Sequence, residues 1–209
     1  MKIDKVIQNK KDEMANILFK IDAIKFGVFK LSSGKASPYY IDLRVIPSFP
    51  DAFREICDLY ADYITSQIGV KNFDRIAGVP FTGIIFASQV AYNLKKPFIY
   101  VRKGVRLHGR ERRVEGLLSS GDRVLLIDDL VTTGLTLKKA ADAVRAEGGV
   151  VTDAVVFLDR EEGGNKQLEK NGISLHALLK ISEVANTLYE FGAIDQEDLK
   201  TILKQVKKQ

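Results

Sequence analysis

Apolar positions change rhythm twice along the chain. Between Lys5 and Ile24, Val6, Ile7, Met14, Ile17, Leu18, Ile21 and Ile24 recur at helical spacing among lysines and acids, which predicts an amphipathic helix ended before Gly27. From Phe29 to Leu43, two short runs flank Ser32-Ser33-Gly34-Lys35-Ala36-Ser37-Pro38, the pattern of a hairpin. Pro47 and Pro50 lead to Asp51, a candidate N-cap, and to a helix with Ile56, Leu59, Tyr60, Tyr63 and Ile64 on one face. The middle of the chain alternates instead between β-rich runs at 75–79, 98–101, 123–127 and 150–158 and helical patterns at 83–94 and 135–147. Most of these runs are nearly continuous in apolar character, as strands of a parallel sheet covered on both faces must be. Strand, helix, strand at this spacing predicts an open α/β fold, a central parallel sheet flanked by helices, with ligands beyond the carboxyl ends of the strands. The tail, Leu175 to Gln209, reads as short helices with Lys204, Lys207 and Lys208 on a solvated face.

The chain has 209 residues, enough for one substantial domain with a small appended part. Its net charge is +5, from 32 basic and 27 acidic side chains, a small excess for a dedicated nucleic-acid binder. That excess is local: Arg102 to Arg113 holds six basic residues and one acid, with two glycines and no helical apolar stripe, the composition of a mobile loop. It lacks the interleaved aromatics that stack bases. The single cysteine, Cys57, excludes an internal disulfide and a Cys-rich zinc site and fits a reducing, cytoplasmic setting; its place on an apolar helix face makes it core filler. Met1 to Lys20 is charged throughout, unlike a secretory signal, and no apolar run approaches the roughly 20 residues that span a bilayer.

The chemistry concentrates at Val124-Leu125-Leu126-Ile127-Asp128-Asp129-Leu130-Val131-Thr132-Thr133-Gly134-Leu135-Thr136. A buried strand delivers two adjacent carboxylates, then a hydroxyl- and glycine-rich loop, then a helix. Loop and helix N-terminus together offer backbone N–H groups to an anion, and phosphate suits them best. Thr132, Thr133 and Thr136 add hydroxyl donors, and Gly134 lets the backbone come close to a ligand. The acids accept hydrogen bonds from sugar hydroxyls or help organise Mg²⁺. Acids and an anion cradle side by side therefore suit a phosphorylated sugar. No Walker loop, dinucleotide fingerprint, zinc-protease helix or Gly-x-Ser-x-Gly elbow occurs in the chain.

This stretch resembles the phosphoribosyl-diphosphate (PRPP) motif of the type I phosphoribosyltransferases. The resemblance implies a single phosphoribosyltransferase domain over residues 1–209, with a core at about 51–175 and a hood from about 1–50 with part of the C-terminal region. It implies that Asp128 and Asp129 hold the ribose hydroxyls and that Leu130, Val131, Thr132, Thr133, Gly134, Leu135 and Thr136 wrap the 5-phosphate.

Three further segments are similar to the orotate enzymes of that family. Phe26 to Arg44 resembles their hood hairpin, which presents backbone groups to orotate, here at Tyr40 and Ile41. Arg102 to Arg113 resembles the loop that closes over pyrophosphate, which places Arg102, Lys103, Arg106 and His108 among the diphosphate contacts. Phe157 to Gly164 resembles the segment whose arginine, here Arg160, pairs with the orotate carboxylate; Thr132 joins that side of the site. Gly78 to Ile84 looks like the loop beside the pyrophosphate and brings in Phe81 and Thr82. Serine stands at 32 where many members carry lysine, Thr82 where some do, and Arg106 where a catalytically important lysine is common. Arginine keeps the charge but donates no proton at neutral pH, which leaves Lys103 or His108 as candidate donors.

The resemblance implies Mg²⁺ as cofactor, carried by the diphosphate near Asp128 and Asp129 with no direct protein ligand. It also implies a homodimer with loop 103–113 shared between subunits, PRPP and orotate as substrates, and neither nucleic acid nor membrane as partner. Two alternatives stay open from sequence: a phosphoribosyltransferase for another base, and a PRPP-sensing regulator without catalysis.

Overall fold

The nearly continuous apolar runs are strands; those at 75–78 and 123–131 are covered from both sides, whereas at 98–101 Ile99 and Val101 are buried and Tyr100 faces outward. In a computed structural model, which describes residues 2–30, 36–104 and 112–207, the chain divides into two compact units, 57–178 and 1–56 with 179–209.

The unit 57–178 is built on a six-stranded sheet. Its strands are β3 (Arg75–Gly78), β4 (Phe98–Val101), β5 (Val114–Glu115), β6 (Arg123–Val131), β7 (Val150–Asp159) and β8 (Ser174–Lys180, whose last residues cross the division), in the order β5-β4-β3-β6-β7-β8. Helices α3 (Thr82–Asn93), α4 (Leu135–Ala146) and α5 (Gly164–Glu169) connect them. Strand β3 runs parallel to both β4 and β6, and β6 parallel to β7, so their carboxyl ends share one edge of the sheet. The exception is β5, two residues antiparallel to β4, a departure from the all-parallel expectation that closes the edge next to the basic segment. Leu126, Val124, Ala154 and Val156 pack with Leu137, Ala141 and Val144 of α4 in one core layer. Tyr60, Phe86 and Phe157 form a buried aromatic cluster in this unit, with centroids 6.1 Å (Tyr60–Phe86) and 6.3 Å (Tyr60–Phe157) apart.

At the amino ends of β3 and β6 two reciprocal ion pairs lock neighbouring strands. Arg123, which opens β6, grips Asp74 just before β3 through both carboxylate oxygens, at 2.8 and 3.0 Å. Arg75, which opens β3, pairs with Asp122 just before β6. Each guanidinium holds its partner's carboxyl below the usual carboxylate range.

The second unit joins α1 (Lys2–Lys20), the hairpin β1 (Ile24–Lys30) and β2 (Ala36–Ile41), the start of α2 (Pro50–Tyr63), α6 (Ile181–Glu190) and α7 (Gln196–Lys207). Helix α1 packs on α6, where Lys11 lies 3.6 Å from Glu183 and Asp12 accepts from Thr187 at 3.1 Å. The hairpin pairs Ile24 with Ile41 and Phe29 with Ser37, and its register slips between Phe26 and Phe29, where Gly27 sits at φ 143°.

Several sequence boundaries shift for identifiable reasons. Helix α1 stops at Lys20 and Ile24 opens a strand, because the backbone reverses through Asp22 at φ 60°; the helical spacing of Ile24 was coincidental. The hairpin accordingly begins at Ile24 rather than Phe29. Pro50, not Asp51, opens α2, as suits a residue with no N–H to leave unpaired, and Asp51 falls in the first turn. Strand β6 continues past Ile127 to Val131 because β7 pairs with it through Asp159. The tail contains β8 before its helices, since a half-buried edge strand of mixed polarity resembles a helix in a short window. Leu126 is fully buried in the central strand, so Leu126→Ala is expected to cost about 2–5 kcal/mol, read from the urea midpoint at unchanged m-value.

Candidate active site

The shared carboxyl edge of β3, β4, β6 and β7 gathers Pro80 to Gly83, Arg102 and Lys103, Asp128 to Thr136, and Asp159 to Glu162. Asp128 and Asp129 close the buried part of β6. Asp128 is 4% exposed and Asp129 is half-buried. The Asp129 backbone N–H donates to Asp128 Oδ1 at 3.0 Å, and the Tyr60 hydroxyl donates to the Asp128 backbone carbonyl at 2.6 Å. Burial, then the charge of Asp129, pushes the Asp128 carboxyl well above the usual carboxylate range. Burial also raises Asp129, opposed by hydrogen bonds from Asp128, nearby backbone and the Thr82 side chain. Thr82, only 8% exposed at the start of α3, thus reaches the second carboxyl. The next residue must be glycine, since a Cβ at Gly83 would stand 2.5 Å from Asp128 Oδ1 and 2.8 Å from Asp128 Cα.

Beyond Val131 the backbone bends through Thr132 and Thr133 into Gly134, whose φ of 79° and αL geometry precede α4. No side chain caps α4, so its first N–H groups face the loop. Thr133, Leu135 and Thr136 are exposed, Thr132 and Leu130 half-buried, Val131 and Gly134 buried. The loop is braced from behind by the start of α5: a Cβ on Gly164 would meet the Thr132 carbonyl oxygen at 2.6 Å and Val131 Cγ2 at 2.8 Å.

Phe81, 71% exposed, lies beneath Lys103, whose Nζ stands 5.5 Å from the ring centroid, so two segments distant in sequence meet here. Arg102 is half-buried and pairs with Glu115 at 3.2 Å. Arg160, just past β7, is 6% exposed; its backbone N–H donates to the Val131 carbonyl at 3.0 Å and its Nε lies 2.8 Å from Glu162 Oε1. Arg106 and His108 lie outside the described residues, as do Ser32 and most of the basic run. In the other unit, Tyr39 turns inward and Tyr40 outward on β2, with Ile41 half-buried. The Tyr40 ring lies tilted against Phe29, centroids 5.7 Å apart, beside a cavity of about 420 Å³ that Lys25 and Asp42 also line.

Sequence reading overlooked Tyr60, Gly83 and Gly164. Tyr60 was indistinguishable from its apolar neighbours on the α2 face. Gly83 carried a signal, a glycine directly after the threonine of the Gly78–Ile84 loop, and Gly164 stood at the end of the Phe157–Gly164 segment singled out for Arg160 alone.

Strand-end acids, a braced anion loop and a basic edge together define a class. The model of the phosphoribosyl transferase domain family matches residues 48–182. The orotate phosphoribosyltransferase of Cenarchaeum symbiosum (strain A) is 41% identical over 91% of this chain and 96% of that protein. The crystal structure of orotate phosphoribosyltransferase from Aeropyrum pernix superposes with a TM-score of 0.75 at 31% identity, over 87% of this chain and 99% of that one. Leishmania donovani UMP synthase gives a TM-score of 0.84 at 32% identity over 95% of this chain, which spans 42% of that longer protein. The chain belongs to the phosphoribosyl transferase family and, within it, to the orotate phosphoribosyltransferases.

A carboxyl raised by burial contributes stability that is full below its ordinary value of 3.8 and is lost as pH rises through the raised value. Asp128→Asn keeps the acceptor for the Asp129 N–H and removes the ionisable group. It is expected to raise the melting temperature of the ligand-free protein at neutral pH by about 2–4 °C for each kcal/mol recovered. The difference from wild type should vanish in acid, as scanning calorimetry across pH would show.

Proposed function

We propose that this protein transfers the phosphoribosyl group of PRPP to N1 of orotate, releasing pyrophosphate and forming orotidine 5′-monophosphate for pyrimidine synthesis. The observation that carries the reading is the braced Thr132–Thr136 loop directly after the Asp128–Asp129 pair, in a chain 41% identical to an orotate phosphoribosyltransferase over most of its length.

The C1–O bond to the diphosphate breaks as the C1–N1 bond forms, through an oxocarbenium-like ribose with inversion, and the proton of orotate N1 passes to the departing diphosphate or to water. Backbone N–H groups of Leu130 to Thr136 and the threonine hydroxyls receive the 5-phosphate. Asp128 and Asp129 accept from the ribose hydroxyls, which sets the sugar's height over the sheet edge. Lys103, stationed over Phe81, and Arg102 face the diphosphate together with Phe81 and Thr82; Arg106 supplies further charge, and Lys103 or His108 a proton where one is needed. Arg160, ion-paired with Glu162, meets the orotate carboxylate, since a guanidinium fork suits a planar, bidentate partner. Backbone groups of Tyr40 and Ile41 meet the base. Preorganised positive charge and positioning supply most of the acceleration, since few protein protons need to move.

Among the described residues no group of three or more His, Cys, Asp or Glu is placed to hold a metal ion. Two adjacent carboxyls suit an ion that keeps its waters and takes its other ligands from substrate phosphates. Asp128 and Asp129 would lie near Mg²⁺ carried in this way by the diphosphate, and the ion would supply charge to offset that of the pyrophosphate leaving group. The working unit in this reading is a cytoplasmic homodimer in which loop 103–113 of one subunit covers its partner's site. No helix among the described residues is long and apolar enough to cross a membrane.

The loss of orotate ultraviolet absorbance in the presence of PRPP, with and without Mg²⁺, tests the reaction; no loss in either case, or equal use of uracil or adenine, overturns it. Arg160→Ala is expected to lower kcat/KM for orotate about 30-fold, about 2 kcal/mol, with PRPP KM little changed. Asp129→Asn should act on PRPP instead. Mixing inactive Arg106→Ala with inactive Asp129→Asn subunits should restore about a quarter of wild-type activity, because random dimers then contain one intact shared site in every four. No recovery would place each site within one subunit.

A further inference from the structure

Tyr60 presents a hydroxyl in a place where packing alone needs none. Its side chain is fully buried between Phe86 and Phe157, and a phenylalanine would fill the same space. The hydroxyl instead donates at 2.6 Å to the backbone carbonyl of Asp128, 68 residues away in sequence. Burial, followed by the charges of Asp129 and Asp128, pushes the phenol well above its ordinary value, so it remains a donor at neutral pH.

The carbonyl it holds belongs to the peptide joining Asp128 to Asp129. The N–H of that same peptide donates at 3.0 Å to Asp128 Oδ1. Both polar ends of one peptide group are therefore tied, one by Tyr60 and one by the first carboxylate. Turning the peptide would break both bonds and re-aim both side chains. Gly83 packs so close to Asp128 that a Cβ there would stand 2.5 Å from its Oδ1, and the Thr82 side chain hydrogen-bonds Asp129.

We propose that Tyr60 is a positioning residue for PRPP, whose hydroxyl locks the Asp128–Asp129 peptide and so sets the direction of both ribose-facing carboxyls. This rests on the assignment of those carboxyls to the ribose. It predicts a selective defect, because the lock bears on the sugar site and not on the base.

The test is Tyr60→Phe in the full chain, which keeps the ring and removes the donor. The expected result is a fall of about tenfold in kcat/KM for PRPP, about 1.4 kcal/mol, with orotate KM within about twofold of wild type. Phe86→Leu, which loosens the same aromatic cluster but leaves the hydroxyl, should lower the melting temperature and spare PRPP kinetics. Unchanged PRPP kinetics in Tyr60→Phe, or an equal PRPP defect in Phe86→Leu, overturns the proposal. Site-specific 3-fluorotyrosine at position 60 keeps ring and hydroxyl and alters only the donor's strength. It should change kcat/KM for PRPP without moving orotate KM, and an unchanged value counts against the proposal even if the phenylalanine variant fails to fold. Asp129→Asn separates the two levels: wild-type PRPP kinetics there removes the carboxyl assignment itself, whereas a PRPP defect there with none in Tyr60→Phe removes only the role of Tyr60.

Discussion

Two carboxyl groups at the end of a strand covered on both faces set the terms for everything around them. Such groups lose hydration, and each needs a partner in the protein or on a ligand. Here the carboxyls are met by a threonine from the start of α3 and by the strand's own backbone, while a phenol from α2 holds the backbone carbonyl of Asp128 between them. None neutralises the pair, so burial holds both above their ordinary range, and the charge of Asp129 adds to the rise at Asp128. In the proposed function this is a site kept under electrostatic tension until ribose hydroxyls and a diphosphate-borne cation arrive.

The loop that follows owes its shape to glycines as much as to threonines. Gly134 turns the backbone at a φ that other residues rarely adopt. Gly164 lets a second helix press against the back of the loop with no side chain between them. The β7 end joins the same assembly through the Arg160 N–H to Val131 carbonyl bond, so a residue read as serving the base is fastened to the strand that serves the sugar.

Much of this was legible in the sequence because burial leaves a compositional trace. The runs that became β3, β4, β6 and β7 are largely apolar without alternation, and the acids within the last part of β6 and the threonines after it break that pattern at one point. What escaped notice has physical reasons too. Strand β8 is half-buried and mixed in polarity, β5 is two residues long, and Ile24 fitted a helical register that the turn at Asp22 cuts short. Tyr60 was invisible as a polar group because its ring obeys the helix periodicity, and only its partner across 68 residues shows what the hydroxyl does. Gly83 and Gly164 matter through atoms they lack, which no spacing rule reports.

The crossed arginine–aspartate pairs at the amino ends of β3 and β6 have a consequence for how such a scaffold changes over time. Because Arg123 with Asp74 and Arg75 with Asp122 fasten the strands at the rim away from the chemistry, strand alignment does not depend on the loops at the opposite rim. Those loops are then at liberty to lengthen, shorten or exchange side chains from lineage to lineage. A new acceptor base could be accommodated by redrawing one rim while the register of the sheet is inherited intact.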